Sequence, residues 1–240
     1  MPGTQYVALS GMRSRLDELD RLAIDIANIS TPGYKSQRGA QKSEDRPSFG
    51  DELQTAIDTV ANGTKIDFSP GTVINTGRDL DVAIEGQGFF VVEGERGTRY
   101  TRDGHFSKSA SGELVTRDGS VVQGTSGPIT LGPGPIRIDN EGVVYAGKTK
   151  AGTLQVVTFD DPNKLTPETG AIFRNDVDLT PNDVDQITVL GGSLEGSNVS
   201  LPEKMAQLIE VSRNFDSLQR SITTIMNDID GKTIESLGRR

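Results

Sequence analysis

Two heptad stripes, one at each end of the chain, constrain the fold more than anything between them. Leu9, Met12, Leu16, Leu19, Ala23 and Ile26 follow one another at intervals of 3,4,3,4,3, and Leu208, Val211, Phe215, Leu218, Ile222, Ile225 and Ile229 at 3,4,3,4,3,4. Such spacing keeps apolar side chains on one narrow seam of a helix. Each seam must be covered, either by the other seam in an antiparallel hairpin or by both its partner helix and neighbouring copies of the chain. A long helix on its own is marginal in water, so most of its stability comes from that cover.

The punctuation between the stripes divides the chain. The first helix is expected from Tyr6 to about Ile29, where Asn28, Ser30, Thr31, Pro32 and Gly33 combine poor helix formers with a proline and a C-capping glycine. Residues 1–35 thus form the N-terminal helix and its stop. Residues 36–63 form a polar linker with one possible short helix on Phe49, Leu53, Ile57 and Val60. Residues 64–190 form a central β domain, and 191–240 a Gly-rich linker and the C-terminal helix. Ser200 is placed to cap that helix, with Pro202 and Glu203 in its first turn and Asp228, Asp230 and Gly231 weakening its end. The fold class is therefore α+β: long terminal helices packed as a coiled-coil-like stalk, with a mainly antiparallel β domain between them.

Residues 64–190 consist of short Val- and Ile-rich runs broken by Gly and Asp, with no alternating helical segments of the kind a parallel sheet requires. The dipeptides Asp103-Gly104 and Asp118-Gly119 predict hairpin turns. In GQGFF, Gly86 and Gly88 permit a tight path, and Phe89 and Phe90 face opposite ways on a strand, one toward the β core and one toward a neighbouring surface.

Little here supports catalysis. There is no Cys, and the one His, His105, has no nucleophile or orienting acid in any recognisable motif, so it reads as an ordinary hairpin side chain. Asp79 and Asp81 would share a face of a strand, and Asp160 and Asp161 adjoin Pro162; neither pair has the spacing across a cleft that glycosidic chemistry needs. GQGFF lacks the third glycine and the Lys-Ser/Thr of phosphate-binding loops. No catalytic, cofactor-binding or metal site is expected, and no cofactor. The formal net charge of -9 falls almost wholly in residues 49–200, with no cluster of basic residues, so nucleic acid is not an expected partner. No run reaches the ~18 apolar residues of a membrane span, and the first residues lack the pattern of a cleaved secretion signal.

Three ordered stretches resemble the flagellar axial family, the rod and hook proteins of the bacterial flagellum. They are SGM at Ser10–Met12 with DIANISTPGYK, then TGRDLDVAIEGQGFFVV and YTRDGHFSKSASGELVTRDG, and finally LEGSNV with Arg213 and the long helix. Asp25 and Ile26 stand where many relatives carry a second Asn. The resemblance is greatest to proximal-rod members and next to distal-rod members. It implies export through the flagellum-specific apparatus and a place in the periplasmic rod of the basal body. It further implies terminal helices lining a tube, assembly with copies of itself and with homologous rod proteins, and a non-enzymatic role in transmitting torque. On that reading the two stripes are assembly seams. Asn28 and Asn198 satisfy backbone groups at chain reversals, Gly33, Gly86 and Gly88 allow tight paths, and Thr31 and Tyr34 belong to the same family-motif turns. A β-rich extracellular binding module using residues 64–190 is the alternative from the residues alone; a glycan-processing enzyme is a third.

Overall fold

The computed structural model describes residues 2–39, 64–184 and 188–237, with side chains from 11 to 39, 65 to 184 and 188 to 224. The fold is α+β, with two long helices flanking a central antiparallel β domain in chain order. The chain divides into a helical unit, Met1–Ala27, Gln37–Lys65 and Ser200–Arg240, and a β unit, Asn28–Ser36 and Ile66–Val199.

In the helical unit, α1 (Pro2–Ala27) packs on α2 (Leu201–Leu237). The start at Pro2 instead of Tyr6 costs nothing, since the first turn has no use for the missing amide. At the head of α2 the Ser200 carbonyl accepts the Lys204 amide at 3.0 Å. This helix runs through Gly231 to Leu237, beyond the expected end. A single glycine costs only ~1 kcal/mol, and no proline follows it.

The C-terminal stripe coincides with the covered face of α2: Val211 is buried, and Leu208, Phe215, Leu218 and Ile222 are half-buried. On α1 the covered face is turned. Met12, Leu19 and Ile26 are half-buried as part of it, but Leu22 and Asp25 are its buried members, while Ala23 and Leu16, the latter 45% accessible, face outward. Leu9, Ile225 and Ile229 lie outside the described side chains, and the possible short helix on Phe49, Leu53, Ile57 and Val60 lies outside the described residues.

The β unit is built on the strand Phe89–Gly94, which pairs antiparallel with Gly97–Thr101, Val121–Gly124 and Val156–Thr158. This strand is apolar on both faces because both are covered. Phe90 and Val92 join a core with Phe106, Leu114, Val122 and Leu154, whereas Phe89 and Val91 join a second with Tyr100, Phe159 and Phe173. Phe90 meets Phe106 edge to face at 5.2 Å between centroids. Two cores replace the single core expected, so neither phenylalanine is left for a neighbouring surface. Two further antiparallel ribbons join segments distant in sequence: Val82–Ile84 pairs with Val189–Gly191, and Val73–Asn75 with Ser193–Glu195.

Of the two expected Asp-Gly hairpins, Asp118-Gly119 turns between Leu114–Val115 and Val121–Gly124, with Gly119 at φ +90°. Asp103-Gly104 is no hairpin. Gly104 lies flat against the Val82 backbone, whose amide donates to the Gly104 carbonyl at 3.1 Å, and a Cβ there would overlap the Val82 carbonyl. The glycine is needed for close approach, not for a turn.

Candidate functional site

The segment that leaves α1 is held by a buried cluster of charges within the β unit. Thr31 closes the turn, its amide on the Asn28 carbonyl at 3.0 Å and its hydroxyl on Asn28 Oδ1 at 3.1 Å. Gly33 follows at φ +69°, and a Cβ there would overlap the Arg102 backbone and stand 2.5 Å from the Asp103 amide. Only glycine allows both that conformation and that approach. The Gly33 amide donates to the Glu195 carbonyl at 2.7 Å, and Tyr34 beyond it is buried.

Glu195 is the hub. Its side chain is 2% accessible and accepts from two cations and one amide: Lys35 Nζ at 2.5 Å and the Gly71 amide at 2.9 Å on Oε1, and Arg102 Nε at 2.8 Å on Oε2. Lys35 also donates to the Ser69 carbonyl at 2.9 Å, and Arg102 spends its two remaining nitrogens on the Gly88 and Gly86 carbonyls, both at 2.8 Å. Gly88 at φ +144° and Gly86 at φ +95° present those carbonyls through conformations that other residues rarely adopt. Burial pushes the Glu195 carboxyl up, but the Arg102 charge, the Lys35 ammonium and the Gly71 amide together outweigh it and hold the group below its ordinary range. Lys35, with one anion beside it and a second cation near, is pulled down by its burial.

Asn198 completes the arrangement from the other chain end. Its Oδ1 accepts the Ser36 amide at 2.7 Å, its Nδ2 donates to the Asp67 carbonyl at 2.7 Å, and its own amide reaches the Tyr34 carbonyl at 3.4 Å. The structure thus brings Asn28, Thr31, Gly33, Tyr34, Gly86, Gly88 and Asn198 around one junction. Sequence reasoning gave no role to its centre, Lys35, Arg102 and Glu195, although each lies inside one of the family-like stretches: STPGYK, YTRDG and LEGSNV. A buried ionic cluster whose cations are spent on one carboxylate and on main-chain carbonyls fixes backbone geometry.

His105 Nδ1 stands 3.1 Å from Asp81 Oδ1, which Arg78 also approaches at 3.0 Å, and among the described residues the partners of that imidazole are Asp81 and Arg78. Asp79 and Asp81 do not share a face: Asp79 is exposed in the turn before the bridge to His105, and Asp81 is buried. Asp160 accepts from Asn182 at 2.9 Å. Among the described residues no group of three or more His, Asp or Glu is arranged to hold a metal ion, and no helix is long and apolar enough to cross a membrane.

Comparison with known proteins agrees with the three stretches. Two family models match, the flagellar hook protein FlgE/F/G D1 domain over residues 83–146 and the flagellar basal body rod FlgEFG protein C-terminal over residues 190–234. The chain is 32% identical to the flagellar basal-body rod protein FlgF of Caulobacter vibrioides, covering 100% of this chain and 99% of that protein. It is 29% identical to FlgF of Salmonella typhimurium, covering 97% of each. It is also 30% identical to the rod protein FlgG of Bacillus subtilis, covering 91% of this chain and 93% of that one.

Proposed function

Because this chain belongs to the flagellar basal-body rod and hook family, we propose that it is a non-enzymatic rod subunit of the proximal, FlgF type. It is exported by the flagellar apparatus and assembles in the periplasm, with itself and homologous rod proteins, into a helical tube that transmits torque. The observation that carries the proximal assignment is the end-to-end match to a FlgF protein, 100% of one chain on 99% of the other. The match to FlgG at 30% identity supports the distal-rod alternative.

A structural role accords with what the side chains do. The buried charges are spent on backbone geometry, and each terminal helix keeps large apolar residues in water: Leu16 and Ile24 on α1, Leu201, Met205 and Ile209 on α2. Those residues are the natural ground for contacts with copies and homologues, which propagate along an axis when they are heterologous. The test uses basal bodies from a strain lacking this chain, probed for the FlgG-type subunit. Its absence is expected, since a proximal segment must be in place before a distal one adds to it; a rod still carrying FlgG-type subunits would contradict the proximal reading.

A further inference from the structure

The two helices leave one thing unexplained by hydrophobicity. At 100° per residue the apolar arc of α1, made by Met12, Leu16, Leu19, Leu22, Ala23 and Ile26, is centred roughly a fifth of a turn from its covered face, on which α2 and the strand Gln37–Gly39 both pack. The buried members of the covered face are instead Leu22 and Asp25, and the outer edge of the apolar arc, Leu16 and Ala23, stays out. A helix pair free to maximise burial would rotate the other way.

The cause is visible at one end. Asp25, 0% accessible, sits on the covered face with Oδ2 2.9 Å from Lys204 Nζ in the first turn of α2, and its Oδ1 accepts the Gln37 amide at 3.0 Å. A carboxylate buried in that way cannot swing outward without stranding Lys204, itself buried, and the Gln37 amide. Contact between the last turn of α1 and the first turn of α2 also makes the pair antiparallel. Stepping away from the ion pair then brings Leu22, Leu19 and Met12 level with Leu208, Val211 and Leu218, all of them buried or half-buried.

We infer that the Asp25–Lys204 pair is a rotational selector: it decides which face of α1 is covered by α2 and so keeps Leu16 and Ala23 outward in the single chain. Polar pairs inside otherwise apolar helix seams select one arrangement among several in this manner. The selector acts within one molecule, so it stands whether or not the chain occupies the proximal rod.

The chain has no Cys, which makes single reporters clean. Leu16→Cys and Leu22→Cys are introduced separately and their thiol labelling rates compared in the full-length protein. The expected result is that the L16C thiol labels at least ~10-fold faster than the L22C thiol, as accessible and buried positions differ in local opening. In the background Asp25→Leu with Lys204→Leu, α1 is expected to turn its apolar arc inward, so that labelling of L16C slows and that of L22C quickens while helix content by circular dichroism is unchanged. The exchanged pair Asp25→Lys with Lys204→Asp is expected to restore position 16 as the faster site. Unchanged rates in the leucine background would overturn the inference. So would loss of helix there, or a parallel rise at both sites, because the pair would then be holding the helices together and not choosing between their faces.

Discussion

Replacing Glu195 by Gln removes one charge and leaves the shape of the side chain intact, which makes it the sharpest probe of the junction behind α1. In the native protein Lys35 and Arg102 share that single carboxylate, at 2.5 and 2.8 Å, with Glu195 only 2% accessible. The amide can accept on one side only and would turn an N–H toward one of the two cations. Removing one partner of a buried pair costs about 3–5 kcal/mol, because the other charge is left without compensation. The expected loss is therefore about 3–5 kcal/mol, a large part of the roughly 5–15 kcal/mol by which a domain is stable. Urea unfolding followed by tyrosine emission reads it directly, since the chain has no Trp and three of its four tyrosines, Tyr34, Tyr100 and Tyr145, lie in the β unit. The sign with pH also follows. A carboxyl held below its ordinary 4.5 contributes stability that is complete above that value and lost as pH falls through its lower folded value. The gap between native protein and E195Q is therefore constant from neutrality down to about pH 4.5 and closes below it. A loss under about 1 kcal/mol at neutral pH, or a gap that widens in acid, would refute the reasoning.

Glycines of positive φ separate by surroundings. Gly33→Ala meets the Arg102 backbone and is expected to cost about 2–4 kcal/mol, while Gly86→Ala opens onto free space and costs about 1–2 kcal/mol, both read by thermal unfolding. Burial pushes the Asp103 carboxyl up, so its charge opposes folding as pH rises past its ordinary 3.8. Asp103→Asn keeps an acceptor for the His105 amide and is expected to raise the melting temperature at about pH 7 but not at about pH 3; a lower value at neutral pH contradicts it. Leu218→Asp places a carboxylate in the half-covered seam of α2 and is expected to cost several kcal/mol of assembly. Normal motility with normal export of that variant would remove Leu218 from the assembly seam.

The helices were legible because a heptad stripe depends only on local spacing, and on α2 the stripe and the covered face coincide at Val211. The rotation of α1 was not, because it turns on a partnership between Asp25 and Lys204 across most of the sequence. The same holds at the junction: Gly33 and Asn198 announce turns by residue type, but nothing local to Lys35, Arg102 or Glu195 says that they meet. Asp118-Gly119 turns as its type suggests, whereas Asp103-Gly104 is recruited for close approach to Val82, a use of glycine that looks identical in sequence. Phe89 and Phe90 alternate as any strand does, yet whether one or two faces are covered depends on strands far downstream, such as Val156–Thr158.

The most direct test of a rod subunit is its presence in the rod. Hook–basal bodies purified from the native organism and quantified by mass spectrometry should contain the chain in fixed ratio to the other rod proteins, with rods incomplete and cells non-motile when its gene is deleted. A chain absent from purified basal bodies, or a deletion strain with complete rods and normal swimming, would contradict the account.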